Sequence, residues 1–416
     1  MTSKKKTQSY EFGGVPGACA MVCGLPLTVF GLNLICNSKS CSIFLIPDQL
    51  PPLSDFFNWT SVYIFFGWFA FQAVIAALPI GQVHLGLPLK NGQRLPYRCN
   101  AFIAFVLSVC GFFVLIYQGY DPSVVYENFL PLASIATVFS YVMSCYLYLR
   151  SHTVPENELA EGGNSGYIIY DYFIGRELNP RLGPWDLKFF CELRPGLIGW
   201  VMLDLCFCAE AYKQQGEVPA ALALVTFFHA FYVADALWFE EAILTTMDIV
   251  HDGFGLMLAF GDLAWVPFLY CLQARFCLEH PQSWSTPALF VILLMHLVGY
   301  TIFRKSNSQK NQFRKNPDDV SVKHLQTLTT VSGRKLLTSG WWGMCRHPNY
   351  LGDLLMALSW SLPSGANLLP YFYPIYFLGL LVHRFSRDDH NCQKKYGADW
   401  VKYCKLVPYK IFPYIY

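Results

Sequence analysis

Long apolar stretches alternate with shorter polar segments along most of the chain. A helix needs about 20 apolar residues to cross a bilayer core of roughly 30 Å. Eight stretches, nearly all of about that length or longer, each predict one spanning helix. They are residues 12–38, 56–89, 99–120, 128–149, 195–208, 218–239, 254–277 and 281–303.

A ninth apolar run covers residues 354–383 and contains Pro363, Gly365 and Pro370. Proline and glycine inside such a run favour a break, so this run predicts a helical hairpin. The pattern therefore predicts about ten transmembrane helices. Lipid-exposed backbone must satisfy its own hydrogen bonds, so we expect an all-α polytopic membrane protein.

The polar segments indicate how the chain is divided. Residues 150–194 are polar and predict a loop with short helical pieces. Nine lysines and arginines lie within residues 304–346, and Lys4 to Lys6 are basic as well. Both groups favour the cytosolic side. We expect a short cytosolic tail at 1–11, eight membrane helices within 12–303, and a C-terminal region with the last hairpin at 304–416.

Composition supports a membrane protein. Hydrophobic residues make up 54% of the 416 residues and charged residues only 14%, where a soluble domain has about a quarter charged. The formal charge of +2 argues against nucleic acid as a partner. The 15 cysteines include no CxxC pair and mostly occupy apolar runs, which predicts core residues rather than disulfides or metal ligands.

Ionisable residues are concentrated between residues 232 and 262, where hydropathy predicts membrane helices. Asp248, His251 and Asp252 have the i, i+3, i+4 spacing of one helical face. Such groups in a membrane face a cavity or a partner and often mark function. One interpretation is a pocket with a proton donor, since burial keeps a carboxyl or a phenol neutral. The other is an interfacial loop with solvated charges.

Two cations and an aromatic cluster follow the eighth predicted span. Lys310 and Arg314 are spaced i, i+4, and on a helix they would form a two-cation clamp for phosphate. Ordinary positive charge beside a membrane helix explains them as well. Residues 341–353, with sequence WWGMCRHPNYLGD, could stack on a nucleotide ring or form an interfacial aromatic belt. A glycine-rich stretch at 162–166 lacks the spacing and the strand–helix context of a Rossmann loop.

Several longer motifs resemble those of the sterol reductase family, which includes the Δ14-sterol reductases, the membrane half of the lamin B receptor and 7-dehydrocholesterol reductase. They are ELRPG at 192–196, LTTMDI at 244–249, HDGFG at 251–255, GWWG at 340–343, RHPNYLGD at 346–353 and PYIY at 413–416. The terminal YIY and the GWWG string resemble the Δ14-reductases and the lamin B receptor more than 7-dehydrocholesterol reductase.

The resemblance implies an endoplasmic reticulum enzyme, with the nuclear envelope as a second location, that reduces a sterol double bond with NADPH. It places the sterol pocket beside residues 232–252 and the cofactor pocket in the C-terminal, cytosol-facing region. As proton donors we rank Tyr232 and Asp248 first, with His251, Asp252 and Glu241 as alternatives or relays. The implied cofactor contacts are Lys310, Arg314, Leu337, Trp342, Asn349, Tyr350, Arg384, Asp388, Cys392, Lys395, Tyr396 and Tyr403.

Other functions remain open at this point. A Δ7 rather than a Δ14 bond could be the one reduced. The string at 346–352 also resembles the motif of membrane methyltransferases that use S-adenosylmethionine, and a non-enzymatic membrane scaffold is a third reading. The sequence leaves the oligomeric state open, and we expect a sterol and the bilayer as partners.

Overall fold

A computed structural model describes residue 7 and residues 9–44 and 50–416. The chain forms two compact units, Met1–Pro281 and Gln282–Tyr416. Most of the predicted cytosolic tail, including Lys4 to Lys6, lies outside the described residues.

The first unit is built almost entirely from helices. Its α-helices are α1 (Gly14–Ile35), α2 (Trp59–Ala77), α3 (Ala101–Tyr117), α4 (Ser123–Glu127), α5 (Phe129–Arg150), α6 (Ile168–Ile174), α7 (Leu187–Leu193), α8 (Pro195–Gln215), α9 (Ala220–Trp238), α10 (Met247–Val250), α11 (Leu256–Phe260), α12 (Val266–Leu269) and α13 (Leu272–Glu279). Short 3₁₀-helices lie at Leu53–Phe56, Glu156–Glu158 and Glu240–Thr245. Two antiparallel hairpins pair β1 (Gln82–Leu85) with β2 (Pro96–Cys99) and β3 (Arg181–Leu182) with β4 (Trp185–Asp186).

Local sequence signals set the ends of the long helices. The Asn58 side chain caps α2 by accepting a hydrogen bond from the Ser61 amide at 2.8 Å, as an N-cap residue does. Pro195 occupies the first turn of α8, and Gly216, at φ 75°, ends that helix. Proline suits a first turn because it lacks an N–H, and glycine suits the left-handed position after a helix.

A π-helical turn at Gly261–Trp265 interrupts the span formed by α11, α12 and α13. The backbone of α8 comes close to this turn, since a Cβ at Gly196 would lie 1.6 Å from the Asp262 carbonyl oxygen. Only glycine fits there. Such π-bulges occur frequently at functional sites, and this one carries Asp262 within the membrane region.

Glycines also join the polar loop to the segment before α11. Gly175, at φ 91°, contacts the backbone from Gly253 to Gly255, and a Cβ on it would lie 2.3 Å from the Gly255 nitrogen. The Phe254 amide donates to the Glu177 carbonyl oxygen at 2.9 Å. The HDGFG motif is therefore locked by backbone against the loop.

The second unit contains the helices α14 (Thr286–Lys315), α15 (Trp341–Met344), α16 (Pro348–Ser361), α17 (Phe372–Tyr396) and α18 (Ala398–Leu406). A short hairpin pairs β5 (Thr327–Thr329) with β6 (Lys335–Leu337), and 3₁₀ turns lie at Leu362–Ser364 and Leu369–Tyr371. Helices α14 and α16 pack closely because Gly299 and Gly352 leave no side chain between their backbones. The predicted hairpin at 354–383 corresponds to α16, α17 and the turns between them.

The all-α, polytopic architecture is confirmed. Within the residues described, seven helical segments are long and apolar enough to cross a membrane: Gly14–Ile35, Leu53–Ala77, Phe129–Arg150, Leu187–Gln215, Ala220–Trp238, Leu256–Glu279 and Thr286–Lys315. Ala101–Tyr117 is a shorter apolar helix. The prediction of about ten spans stays a prediction. The small hairpins were not anticipated, since each strand has at most four residues.

The expectation that the cysteines form no disulfide is wrong for one pair. Cys36 and Cys41 are bonded to each other in the loop that follows α1. Four residues lie between them, and this polar stretch from Asn37 to Ser40 folds back as a turn, with the Asn37 amide donating to the Ser40 carbonyl oxygen at 2.9 Å. The turn brings the two cysteines together. Their spacing in the sequence is not that of a CxxC pair, so the sequence did not predict the bond.

Candidate active site and cofactor site

Tyr232 lies in the second half of α9 and is half-buried. Its ring centroid is 6.4 Å from that of Trp200 on α8. Its neighbours on α9, Val233 and Leu237, are fully buried. The Tyr232 ring therefore lies near α8 in a partly buried position.

The other predicted proton donors follow α9, but they do not share a helical face as the spacing indicated. Helix α10 ends at Val250, and His251 has the non-helical angles φ −126° and ψ −42°. Asp252 is consequently turned inward and buried, whereas His251 is exposed. Glu241 lies in the 3₁₀ turn before α10 and pairs with His84 at 3.3 Å, with 55% of its side chain exposed. The helical-face interpretation is wrong because α10 ends after four residues, before His251 and Asp252.

A lysine that the sequence reasoning missed holds this turn. Lys188, on α7, is fully buried. Its ammonium donates to the carbonyl oxygens of Asp248 at 2.6 Å, Ile249 at 3.1 Å and Asp252 at 2.7 Å. Lys188 lies in a segment predicted to be a polar loop. Lysines in loops are usually solvated, so nothing in the sequence indicated that this one is buried.

A buried Asp–His hydrogen bond and a buried ion pair were also missed. Asp204 on α8 and His229 on α9 lie 2.7 Å apart and are both fully buried, and the Trp200 indole N–H donates to the same imidazole at 3.2 Å. Arg194, just before α8, pairs with Glu240 at 3.3 Å, also in the interior. Asp204 and His229 lie within predicted apolar runs, where hydropathy averaging hides them, whereas Arg194 and Glu240 lie just outside such runs.

A cavity of about 200 Å³ lies beside the α10 turn. Its walls include Leu244, Val250 and His251 from the turn and Tyr97 from β2. Ligand sites are commonly about 300–1,000 Å³. This cavity therefore holds a small group rather than a whole polycyclic lipid.

In the second unit, the predicted two-cation helix end is present. Lys310 and Arg314 both lie in the last two turns of α14. The Lys310 ammonium is 3.7 Å from the centroid of the Trp342 ring. The Trp342 indole donates to the Ser306 carbonyl oxygen at 2.8 Å, which fixes the ring under the lysine. Leu337, on β6, packs in the same apolar cluster as Trp342.

His347, at the start of α16, joins the motif at 346–353 to α17. Its imidazole stacks on Tyr350 with the ring centroids 4.6 Å apart and lies 3.3 Å from the Asp388 carboxylate. Burial lowers the pKa of His347. The hydrogen bond from His347, with Lys310 and Arg314 nearby, lowers the pKa of Asp388. The pair is therefore a neutral imidazole donating to a carboxylate.

Arg346 also connects the motif at 346–353 to α17. Its guanidinium lies 3.0 Å from Asp389, which also accepts a hydrogen bond from the Trp400 indole at 3.0 Å. Tyr396, Trp400 and Tyr403 stack in a row along the α17–α18 junction, with neighbouring ring centroids 6.3 Å and 5.0 Å apart. Both acidic residues of the pair on α17 are thus tied to the motif at 346–353.

Most of the predicted cofactor residues meet in this one region. Cys392 packs against the Trp400 cluster, and burial raises the pKa of its thiol to about 12, so it stays neutral. The Lys395 ammonium is 5.2 Å from the Tyr396 ring centroid. Arg384 lies one turn before Asp388 on α17.

Three buried polar atoms in this region have no hydrogen-bond partner among the described residues. They are Asn349 Oδ1, His347 Nδ1 and Arg346 Nε. Buried polar groups are nearly always bonded, so these atoms offer two acceptors and one donor to a polar ligand. Together with two cations and the five rings of Trp342, Tyr350, Tyr396, Trp400 and Tyr403, they fit a dinucleotide, whose phosphates take cations and whose rings stack on aromatic side chains.

The fold and the two clusters define a polytopic helical membrane protein with ionisable groups inside the bundle and a cation–aromatic cluster in the second unit. Residues 6–416 match the model of the Ergosterol biosynthesis ERG4/ERG24 family, and the chain belongs to that family. The resemblance drawn from the motifs is thereby confirmed.

Curated relatives agree with this assignment. A Gallus gallus protein named Delta(14)-sterol reductase LBR is 51% identical over 407 residues, which are 97% of this chain but 64% of that protein, less than two thirds. Delta(14)-sterol reductase TM7SF2 of Mus musculus is 50% identical over 418 residues, with both proteins covered in full. Delta(14)-sterol reductase erg24 of Schizosaccharomyces pombe is 45% identical over 424 residues, 99% of each.

Proposed function

We propose that the chain is an NADPH-dependent Δ14-sterol reductase of the endoplasmic reticulum membrane. Membership of the ERG4/ERG24 family and the names of the full-length relatives support reduction of a sterol. The observation that carries the cofactor assignment is the cluster of cations, aromatic rings and unpartnered polar atoms around Asn349.

The second unit would hold the cofactor by its own side chains. Lys310 and Arg314 supply positive charge for the adenosine phosphate, and the planar guanidinium suits a bidentate contact. The amide of Asn349 can bond a carboxamide, and Tyr350, Tyr396 and Tyr403 offer ring faces. When bound, the chemistry that NADPH supplies is hydride donation.

The first unit would supply the proton. An unactivated alkene accepts hydride only after it becomes electrophilic, so an acid must first protonate the sterol double bond and leave a tertiary carbocation. Tyr232 and Asp248 are the first candidates, with His251, Asp252 and Glu241 as alternatives or relays. A phenol is neutral at neutral pH, and Tyr232 is half-buried on a candidate membrane helix, where limited access of water reduces trapping of the carbocation.

The S-adenosylmethionine interpretation is less well supported. It rests on residues 346–352 alone, whereas the family match extends over residues 6–416. A scaffold role predicts no dependence of function on Asn349 or Asp388.

The test uses the full-length protein in lipid nanodiscs. NADPH, NADH and S-adenosylmethionine are titrated separately, and NADPH oxidation is followed with and without a Δ14-sterol. We expect selective NADPH binding and sterol-dependent oxidation, both weakened by Asn349→Ala. Binding of S-adenosylmethionine in place of NADPH would establish the methyltransferase, and binding of no cofactor would leave the scaffold.

A further inference from the structure

Lys188 is a buried charge in the candidate span Leu187–Gln215. An ammonium has three donors and no acceptor. All three hydrogen bonds go to main-chain carbonyl oxygens of one short segment, at Asp248, Ile249 and Asp252. The lysine therefore recognises the backbone of this segment rather than a side chain.

The segment needs such a partner. Helix α10 has four residues, and a helix of one turn is not stable by itself. The last carbonyl groups of any helix lack a donor from the following turn. Here the chain also turns sharply at His251, so the ammonium replaces the donors that a longer helix would provide.

The surroundings offset part of the cost of burying this charge. The carboxylates of Asp186, Glu192, Asp248 and Asp252 all interact electrostatically with the Lys188 ammonium. Downstream, the segment is fixed by the Gly175 backbone against Gly253 and Gly255. Lys188 and this glycine contact together define the path of residues 248–255.

We propose that Lys188 is a positioning residue for the proton-donating side of the reaction. Its ammonium fixes the backbone that carries Asp248, His251 and Asp252, and thereby sets where these side chains lie relative to the substrate. The inference rests on the proposed reductase function, because positioning has meaning only for groups that meet a substrate.

The variants Lys188→Met, Lys188→Gln and Lys188→Arg test the role in the full-length protein. Hydrogen–deuterium exchange is measured on peptides covering residues 246–254, where the His251 and Asp252 amides bond to the Met247 carbonyl oxygen at 2.8 and 3.1 Å. We expect faster exchange at these amides in Lys188→Met. We also expect kcat to fall on the order of 100-fold, the effect of a misplacement of about 1 Å, with an unchanged KM for NADPH.

Lys188→Arg restores donors and should recover part of kcat, whereas Lys188→Gln should lie between Arg and Met. Lys213→Met, which removes an exposed lysine from α8, is the matched control and should change neither exchange at 246–254 nor kcat.

Wild-type exchange and kcat in Lys188→Met would overturn the positioning role. So would failure of all three variants to accumulate as folded protein, which would assign Lys188 to folding. If the unmutated protein reduces no Δ14-sterol, the proposed function fails independently of Lys188. The exchange measurement still shows whether Lys188 fixes the backbone of residues 248–252.

Discussion

Lys310 and Arg314 lie one turn apart on α14, but their surroundings differ. Lys310 is covered by the Trp342 ring, whereas Arg314 is exposed at the helix end. A guanidinium in that position is free to turn toward a phosphate of the proposed cofactor. The i, i+4 spacing was readable in the sequence, and the structure confirms that both residues are helical.

Arg314→Ala should raise the KM for NADPH about 10- to 100-fold with little change in saturated turnover. A hydrogen bond to a charged group contributes about 1.5–3 kcal/mol, and 1.36 kcal/mol corresponds to tenfold. Steady-state kinetics measure the KM for NADPH and the saturated turnover. Lys315→Ala, at the exposed next residue, is the control. Equal use of NADH and NADPH by the unmutated protein would contradict the assignment.

Tyr232→Phe tests the first candidate acid. Loss of a general acid lowers turnover by about 10² to 10⁴, whereas NADPH affinity should not change because the substitution removes one hydroxyl from α9. Single-turnover rates and NADPH binding are compared with those of Tyr212→Phe, an exposed tyrosine on α8. Normal turnover of Tyr232→Phe would remove this residue from the mechanism.

At the scale of elements, apolar runs predicted the long helices well, because each of them must satisfy its backbone within lipid. The short elements were less accessible. Helix α10 ends where the Lys188 ammonium donates hydrogen bonds to the carbonyl oxygens of Asp248 and Asp252. This contact joins residues far apart in the sequence, so local spacing does not predict it. The same holds for the Gly175 contact with Gly253.

The facing helices α8 and α9 depend on the Asp204–His229 pair. Removing one partner of a buried pair costs about 3–5 kcal/mol, so Asp204→Ala should clearly lower the free energy of unfolding in detergent. Asp204→Asn keeps a hydrogen-bonding side chain and should lose less. Asp121→Ala, which removes an exposed partner of Lys213, is the control. An unchanged unfolding midpoint for Asp204→Ala would refute this role.

The contact between α16 and α17 gives a pH dependence. The pKa of both His347 and Asp388 is lowered in the folded chain, so the unfolded chain takes up protons more readily. Stability should therefore be full above the ordinary histidine value of about 6.5 and be lost as pH falls, first through His347 and at more acidic pH through Asp388.

Thermal unfolding of the protein and of His347→Gln between pH 7.5 and 5 checks this dependence. The variant should lose less stability on acidification than the unmutated protein. A steeper loss in the variant would show that His347 titrates in the opposite sense.

At the scale of the whole molecule, the sequence predicted the class of protein from hydropathy and the family from its motifs, and both are confirmed. The cofactor residues were predicted by resemblance, and the structure brings many of them, such as Trp342 and Tyr350, into one region. Buried charges such as Asp204 and Lys188 were not predictable, because their partners lie on other elements.

The most direct test of the account supplies the purified protein with NADPH and, separately, with Δ7-, Δ14- and Δ24-sterols, and identifies the products by mass spectrometry and NMR. The account predicts that the Δ14 bond is reduced and that the Δ7 and Δ24 bonds persist. Reduction of the Δ7 bond alone, or no reduction of any sterol, would contradict it.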